Sequence, residues 1–328
     1  RFSRSIEPGH IYSFQVVAFN EGGKSFPSEI LSAGVPLGLR NRAPVLIVNN
    51  FDRISAPAWV ESPGFAGFES RLDTGVPYLS EIGYTGENYE FRRSALYVDD
   101  DYPGFGASYD DRAGEIIAGN TFDYPYRHGA ALLRLGYPFC SMSRDAFCEA
   151  AEEYAAVDLI CGKQGRTPTG RGERPDRFSV YTEPLLAALQ RHVGHGGGLL
   201  VSGANIASDA PEGSAAAAFI ADVLGCTLAN PFGTNTGRIA DMPFSHTLNP
   251  DIYSVECADA LKPSGKGART WLRYPGELYA AAVCNQADQY RTVSIGVPVE
   301  TVLRAGDREW ILGQALAFLY DGKKPAKR

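Results

Sequence analysis

The chain has 328 residues, 44% of them hydrophobic, 21% charged and 11% aromatic, which suits a folded globular protein and excludes collagen-like or disordered material. Its formal charge is −7 and its one basic run is Lys323-Lys324-Pro325-Ala326-Lys327-Arg328. A nucleic-acid partner, which needs clustered Lys and Arg, is therefore not expected. No apolar run reaches the roughly 20 residues that span a bilayer.

The opening residues lead straight into a strand pattern, as in a piece of a larger protein, and no signal peptide is visible. Tyr12, Phe14, Val16 and Ala18 alternate with polar neighbours, the period of a half-buried strand. Asn20 to Gly23 carries turn chemistry, and residues 28–33 return as a second strand. The series Tyr12, Phe14, Val16, Ala18, Asn20, Gly23, Ser25 resembles the last two strands of a fibronectin type III module. The resemblance implies that residues 1–38 are the tail of such a module. An isolated hairpin is marginal in water, so it must pack on something.

Next, Ala43-Pro44-Val45-Leu46-Ile47-Val48-Asn49-Asn50 is continuously apolar and then abruptly polar, as in a parallel strand buried on both faces. Similar runs lie at 139–141, 156–161 and 198–202, with helical patterns at 125–135, 144–154, 180–194 and 214–225. Two strands, 278–283 and 291–297, and a helix over 308–320 close the domain. This alternation predicts an α/β domain over 39–328: a doubly wound, mostly parallel sheet of flavodoxin-like type. A long insertion, about 53–122, is rich in Gly, Asp and Tyr and predicts an irregular cap.

The six cysteines stand mostly in apolar context, which favours buried small hydrophobes over ligands or nucleophiles. In open parallel sheets, ligands gather beyond the carboxyl ends of the strands. The residues there are Asn50, Asp52 and Arg53; Ser141; Lys163 and Gln164; and Ser202, Asn205 and Asp209. They form a candidate binding rim, or only the polar edge that every strand end carries.

The helix at 180–194 leads into Gly196-Gly197-Gly198-Leu199-Leu200-Val201-Ser202-Gly203. This is similar to the entry to the nucleophile elbow of class I glutamine amidotransferase-like domains. The segment Thr292 to Thr301 resembles the strand that carries their catalytic His and acid. At the elbow this chain has Ser202 and no Cys, and of the His and acid only Glu300 is present. A cysteine glutaminase, which needs a thiolate and a proton shuttle, is not expected.

Ser202 as a nucleophile would need a base. Among five histidines, His128 is the candidate, with Asp123 as its orienter and Asp52 as a further carboxylate. The plain alternative is a helix-capping Asp123 and a surface His128. Asp99, Asp100, Asp101, Asp110 and Asp111 bracket a Gly-rich loop and offer oxygens to Ca²⁺, without EF-hand spacing, or form a solvated acidic loop. No other cofactor is expected. Tyr84, Tyr89, Phe91, Tyr97, Tyr102, Phe105, Tyr109 and Tyr124 crowd the same region, where aromatics beside carboxylates suit sugar rings or the packing of a cap.

Residues 45–53, 99–118 and 119–129 also resemble large secreted bacterial proteins with fibronectin III modules, labelled xanthan lyases or N-acetylmuramoyl-alanine amidases. That resemblance implies a secreted, periplasmic or cell-surface setting, neighbouring domains, and a glycan or cell-wall polymer as partner. It carries over no zinc site, since no His/His/Asp cluster is present. Two functions therefore stand side by side: a glycan-binding protein, with hydrolysis an option, and a non-catalytic interaction module with a degenerate triad.

Overall fold

A computed structural model describes residues 7–24, 28–38, 42–50, 60–63, 65–67, 89–99, 102–107, 123–151, 154–169, 174–247, 252–322 and 326. Its main sheet has eleven strands. In chain order they are β1 (Ile11–Phe14), β2 (Leu31–Gly34), β3 (Val45–Asn49), β4 (Phe139–Ser143), β5 (Ala156–Ile160) and β6 (Gly198–Ser202). The rest are β7 (Cys226–Asn230), β8 (Ala260–Pro263), β9 (Ala268–Arg273), β10 (Ala280–Gln286) and β11 (Arg291–Ile295). The spatial order is β1-β2-β4-β3-β5-β6-β11-β10-β8-β7, with β9 against β10.

The centre is parallel: β4, β3, β5, β6 and β11 run together in register, Val45 facing Ala156 and Leu199 facing Thr292. These strands are apolar throughout because both faces are covered. Val45 to Val48 are wholly buried, with Val45 and Ile47 in one core and Leu46 and Val48 in the other. Helices α1 (Tyr124–Arg134) and α5 (Ala305–Asp321) cover the first face. Helix α3 (Glu183–Gly194) and the short α2 (Arg144–Glu149) and α4 (Ala215–Phe219) cover the second. Thr182, Ser143 and Ser214 cap α3, α2 and α4 by accepting a bond from a first-turn N–H.

The sheet is not mostly parallel, and the expectation of a doubly wound, flavodoxin-like domain is corrected here. Among the described residues, this sheet has four parallel and six antiparallel strand pairings. The antiparallel half is built by β7 to β10, three of which the hydrophobic pattern does not announce. Nor does the first hairpin precede the domain as a separate module: β1 pairs with β2, and β2 joins β4, with Gly34 facing Phe139. Its backbone is tied in as well, Ser32 N donating to Ser141 Oγ at 2.6 Å.

One helical pattern ends early, and another changes winding. Helix α2 stops at Glu149, where Ala150 turns extended and the chain leaves for β5. Helix α4 passes into a π-turn at Ile220–Leu224, closed by Gly225 at φ 70°. Of the 53–122 insertion, the described parts are a small hairpin, Val60–Ser62 with Phe65–Gly67, and a compact loop between 89 and 107. Among the described residues no helix is long and apolar enough to cross a membrane.

Candidate functional site

The middle of β5 carries a carboxylate, Asp158, between Ala156 and Ile160 on the face covered by α1 and α5. A charge there is costly unless paired. Helix α1 supplies the partner: His128 Nδ1 meets Asp158 Oδ2 at 2.6 Å. On the other side of the ring, Nε2 lies 3.3 Å from Glu300 Oε2, delivered by the 3₁₀ turn Val299–Thr301. Tyr253 donates its hydroxyl to Glu300 Oε1 at 2.8 Å, and Arg127 donates to the Glu300 carbonyl at 3.0 Å. His128, Asp158, Glu300 and Tyr253 are all buried.

Both ring nitrogens face carboxylate oxygens, and only a doubly protonated ring can donate from both. Burial disfavours the charged ring, but Asp158 and then Glu300 outweigh it and raise its pKa from 6.5 to about 9. His128 is thus buried between two carboxylates and not on the surface, and Ser202 Oγ is not among its hydrogen-bond partners. Asp123 does stand at the N-cap position of α1, but its side chain makes no capping bond.

Ser202, at the end of β6, is completely buried and its Oγ has no hydrogen-bond partner among the described residues. The elbow after it is tight for a physical reason: a Cβ on Gly203 would come within 2.7 Å of Cys161 Cβ. Burial pushes all six cysteines upward, Cys161 and Cys226 to about 12.

The strand-end rim forms an internal belt. Asn50 Nδ2 donates to the Val180 carbonyl at 2.9 Å and to Cys161 Sγ at 3.4 Å. Asn205 Nδ2 donates to the carbonyls of Lys163 and Gln164 at 3.0 and 3.1 Å. Lys163 pairs with Glu256 at 2.9 Å, and Gln164 donates to the Ser179 carbonyl at 3.3 Å. Asp209 accepts from Val180 N at 2.7 Å and from Arg166 N. These side chains staple one strand-end turn to the next. Asp52 and Arg53 lie outside the described residues.

Sequence reading missed Asp158, Tyr253 and Asp259. Asp259 Oδ2 accepts from Ala207 N and Ser208 N at 2.7 and 2.9 Å, and burial raises its pKa to about 6. Asp158 had a legible signal, an acid inside an otherwise apolar strand. Tyr253 and Asp259 sit in loops and had none.

The acidic loop contributes only Asp99 to the described residues, its carboxylate accepting from Tyr102 N at 2.9 Å; Asp100, Asp101, Asp110 and Asp111 lie outside them. Among the described residues no cluster of three or more His, Cys, Asp or Glu could hold a metal. Around Asp99 the chain folds on itself. Tyr89 N bonds the Ala107 carbonyl, Gly106 N the Glu90 carbonyl, Phe105 N the Ala95 carbonyl and Val98 N the Tyr102 carbonyl, all between 2.9 and 3.1 Å. Gly104 makes the crossing: its φ is 89°, and a Cβ there would meet the backbone of Leu96 and Tyr97 at 2.9 Å. Glu90, held down to about 2 by its hydrogen bonds from Arg92, pairs with that guanidinium at 2.6 Å. This polar frame carries Phe91, Leu96, Tyr97, Val98, Tyr102 and Phe105 on the outside, each between 49% and 80% exposed.

No model of a known protein family matches the chain, and no curated protein does. Among solved structures it is similar to a GH42 beta-galactosidase (16% identity, TM-score 0.38), over 64% of this chain and 28% of that one. A beta-galactosidase from Bacillus circulans sp. alkalophilus matches at 12% identity and TM-score 0.38, over 62% and 28%. An exo-beta-1,4-mannosidase from Opitutaceae bacterium strain TAV5 matches at 12% identity and TM-score 0.38, over 62% and 31%. The chain thus spans about three tenths of the length of these enzymes, and a likeness of this degree assigns it no activity.

Proposed function

We propose that this chain is a glycan-binding module of a secreted or envelope-associated protein, and that it binds without hydrolysing. The observation behind the binding half is the loop between 89 and 107. Six large apolar side chains, four of them aromatic, are held outward on a hydrogen-bonded frame. A fixed cluster of exposed apolar groups marks an interaction surface, because isolated exposed hydrophobes rarely gather so densely. The C–H face of a sugar ring packs on such rings, while the carboxylates of Glu90 and Asp99 beside them suit hydroxyl groups.

The non-hydrolytic half is supported by the buried centre. The histidine–carboxylate pairing of His128 at the domain's core is sealed from solvent, and its two carboxylates raise the ring's pKa to about 9. Ser202 is sealed as well. The sequence resemblance to fibronectin III multidomain proteins favours the envelope setting.

Calorimetric titration with neutral cell-wall and plant-type oligosaccharides tests the reading. Saturable binding that weakens about tenfold in Tyr97→Ala or Tyr102→Ala, with unchanged melting, is expected. No release of reducing ends should accompany it. Saturable binding that survives both substitutions would move the site elsewhere, and turnover lost on His128→Gln would restore an enzyme.

A further inference from the structure

A second concave place lies at the opposite end of the parallel strands, where β5 and β6 begin. It is a cavity of about 470 Å³ between α2, α3 and the loops that follow them, a size within the roughly 300–1,000 Å³ of small-molecule sites. The rings of Phe147 and Tyr154 help to line it. Its wall carries Glu149, Arg191, His192 and His195.

The wall is partly fixed by the fold. His192 Nε2 bonds the Gly198 carbonyl at 2.9 Å, which places the proton on Nε2 and leaves Nδ1 an acceptor. The ring fits only because residue 197 is glycine, since a Cβ there would sit 2.2 Å from the imidazole. Arg191 spends one donor on the Cys148 carbonyl at 2.8 Å, which anchors the guanidinium across α2 and α3 with four donors still in hand. Helix periodicity puts His195 one turn from Arg191 and on the same side, so two basic side chains flank one wall.

We propose that this cavity binds a sugar acid: one pyranose ring with a carboxylate, its C–H face on Phe147 and Tyr154. Arg191 and His195 take the carboxylate, the guanidinium by its planar fork. Glu149 and the Nδ1 of His192 accept hydroxyl protons. A simple anion would leave the two rings and both acceptors unused. A neutral sugar would leave the basic pair unused. The site is separate from the aromatic loop and does not depend on it.

The test is an NMR titration of the full chain with glucuronic acid, glucose and acetate, repeated on His195→Gln, on Arg191→Gln and on Tyr97→Ala. Glucuronic acid should shift resonances from 147–154 and 188–197 saturably, at least about tenfold more tightly than glucose or acetate. The preference should fall about tenfold in Arg191→Gln and in His195→Gln, and stay in Tyr97→Ala. His195 is exposed, so its substitution reports binding even if Arg191→Gln perturbs the fold. Equal affinity for acetate, absence of saturation by glucuronic acid, or a preference unchanged in His195→Gln would each overturn the assignment. Loss of neutral-oligosaccharide binding in Tyr97→Ala with glucuronic acid binding intact would show that the two sites stand or fall independently.

Discussion

His128 joins three pieces of chain: α1 through its own backbone, β5 through Asp158, and the 3₁₀ turn through Glu300. Its folded pKa, about 9, lies above the ordinary 6.5, so its contribution to stability is complete below about pH 6.5 and is lost as pH rises through about 9. The size of that contribution is roughly 3 kcal/mol. Urea unfolding of the native chain and of His128→Gln, compared at pH 6, 8 and about 9.5, should show the two curves converging upward in pH. At the acid end the variant should be weaker by about 3 kcal/mol or more, because two buried carboxylates lose their cation. A constant difference across the range would mean that the ring is neutral. The centre was half legible. Asp158 is an acid in an apolar run, which signals a buried pair. What hid its partner is that His128 approaches from a helix thirty residues earlier in sequence, and nothing in the pattern of α1 separates an inward His from an outward one.

Among the elements, α3 is the best defined by its sequence. Thr182 accepts from Leu185 N, a proline stands in the first turn, and Leu185, Leu186, Ala188, Leu189 and Val193 form one buried stripe. Thr182→Ala should lower the unfolding free energy by about 1 kcal/mol, read from the urea midpoint at unchanged slope. An unaltered midpoint would show that packing alone fixes the start of this helix. The parallel strands are equally readable, since burial on both faces forces continuous apolar runs such as Val45 to Val48. Strands β7 to β9 escape notice because only part of each is buried. In β9, Ala268 to Arg273, two arginines and a threonine interrupt the pattern, and β8 ends in Lys262-Pro263. Their strand character comes from pairing, β8 and β9 with β10 and β7 with β8, a tertiary cause that local sequence does not carry.

For the molecule as a whole, the decisive joint is the one between β2 and β4, which makes the first hairpin part of the main sheet. Its sequence looks modular because Tyr12, Phe14, Val16 and Ala18 alternate as any half-buried strand does, and alternation does not say which sheet a strand will join. The packing does say it. Ile30 and Ser32 are buried, the Ser32 amide is bound by Ser141, and a Cβ on Gly34 would strike the Phe139 ring at 2.9 Å. Without the hairpin, β4 becomes an edge strand with an unpaired backbone and an uncovered Phe139, the kind of surface that templates aggregation. A chain beginning at residue 39 should therefore melt several degrees lower and form larger species on size-exclusion chromatography at the concentration where the full chain is stable. A gentler form, Gly34→Val, should reproduce part of the lowered melting by pressing on Phe139. If the shortened chain melts and elutes as the full chain does, the hairpin is a detachable neighbour, and the eleven-stranded sheet is not the unit that folds.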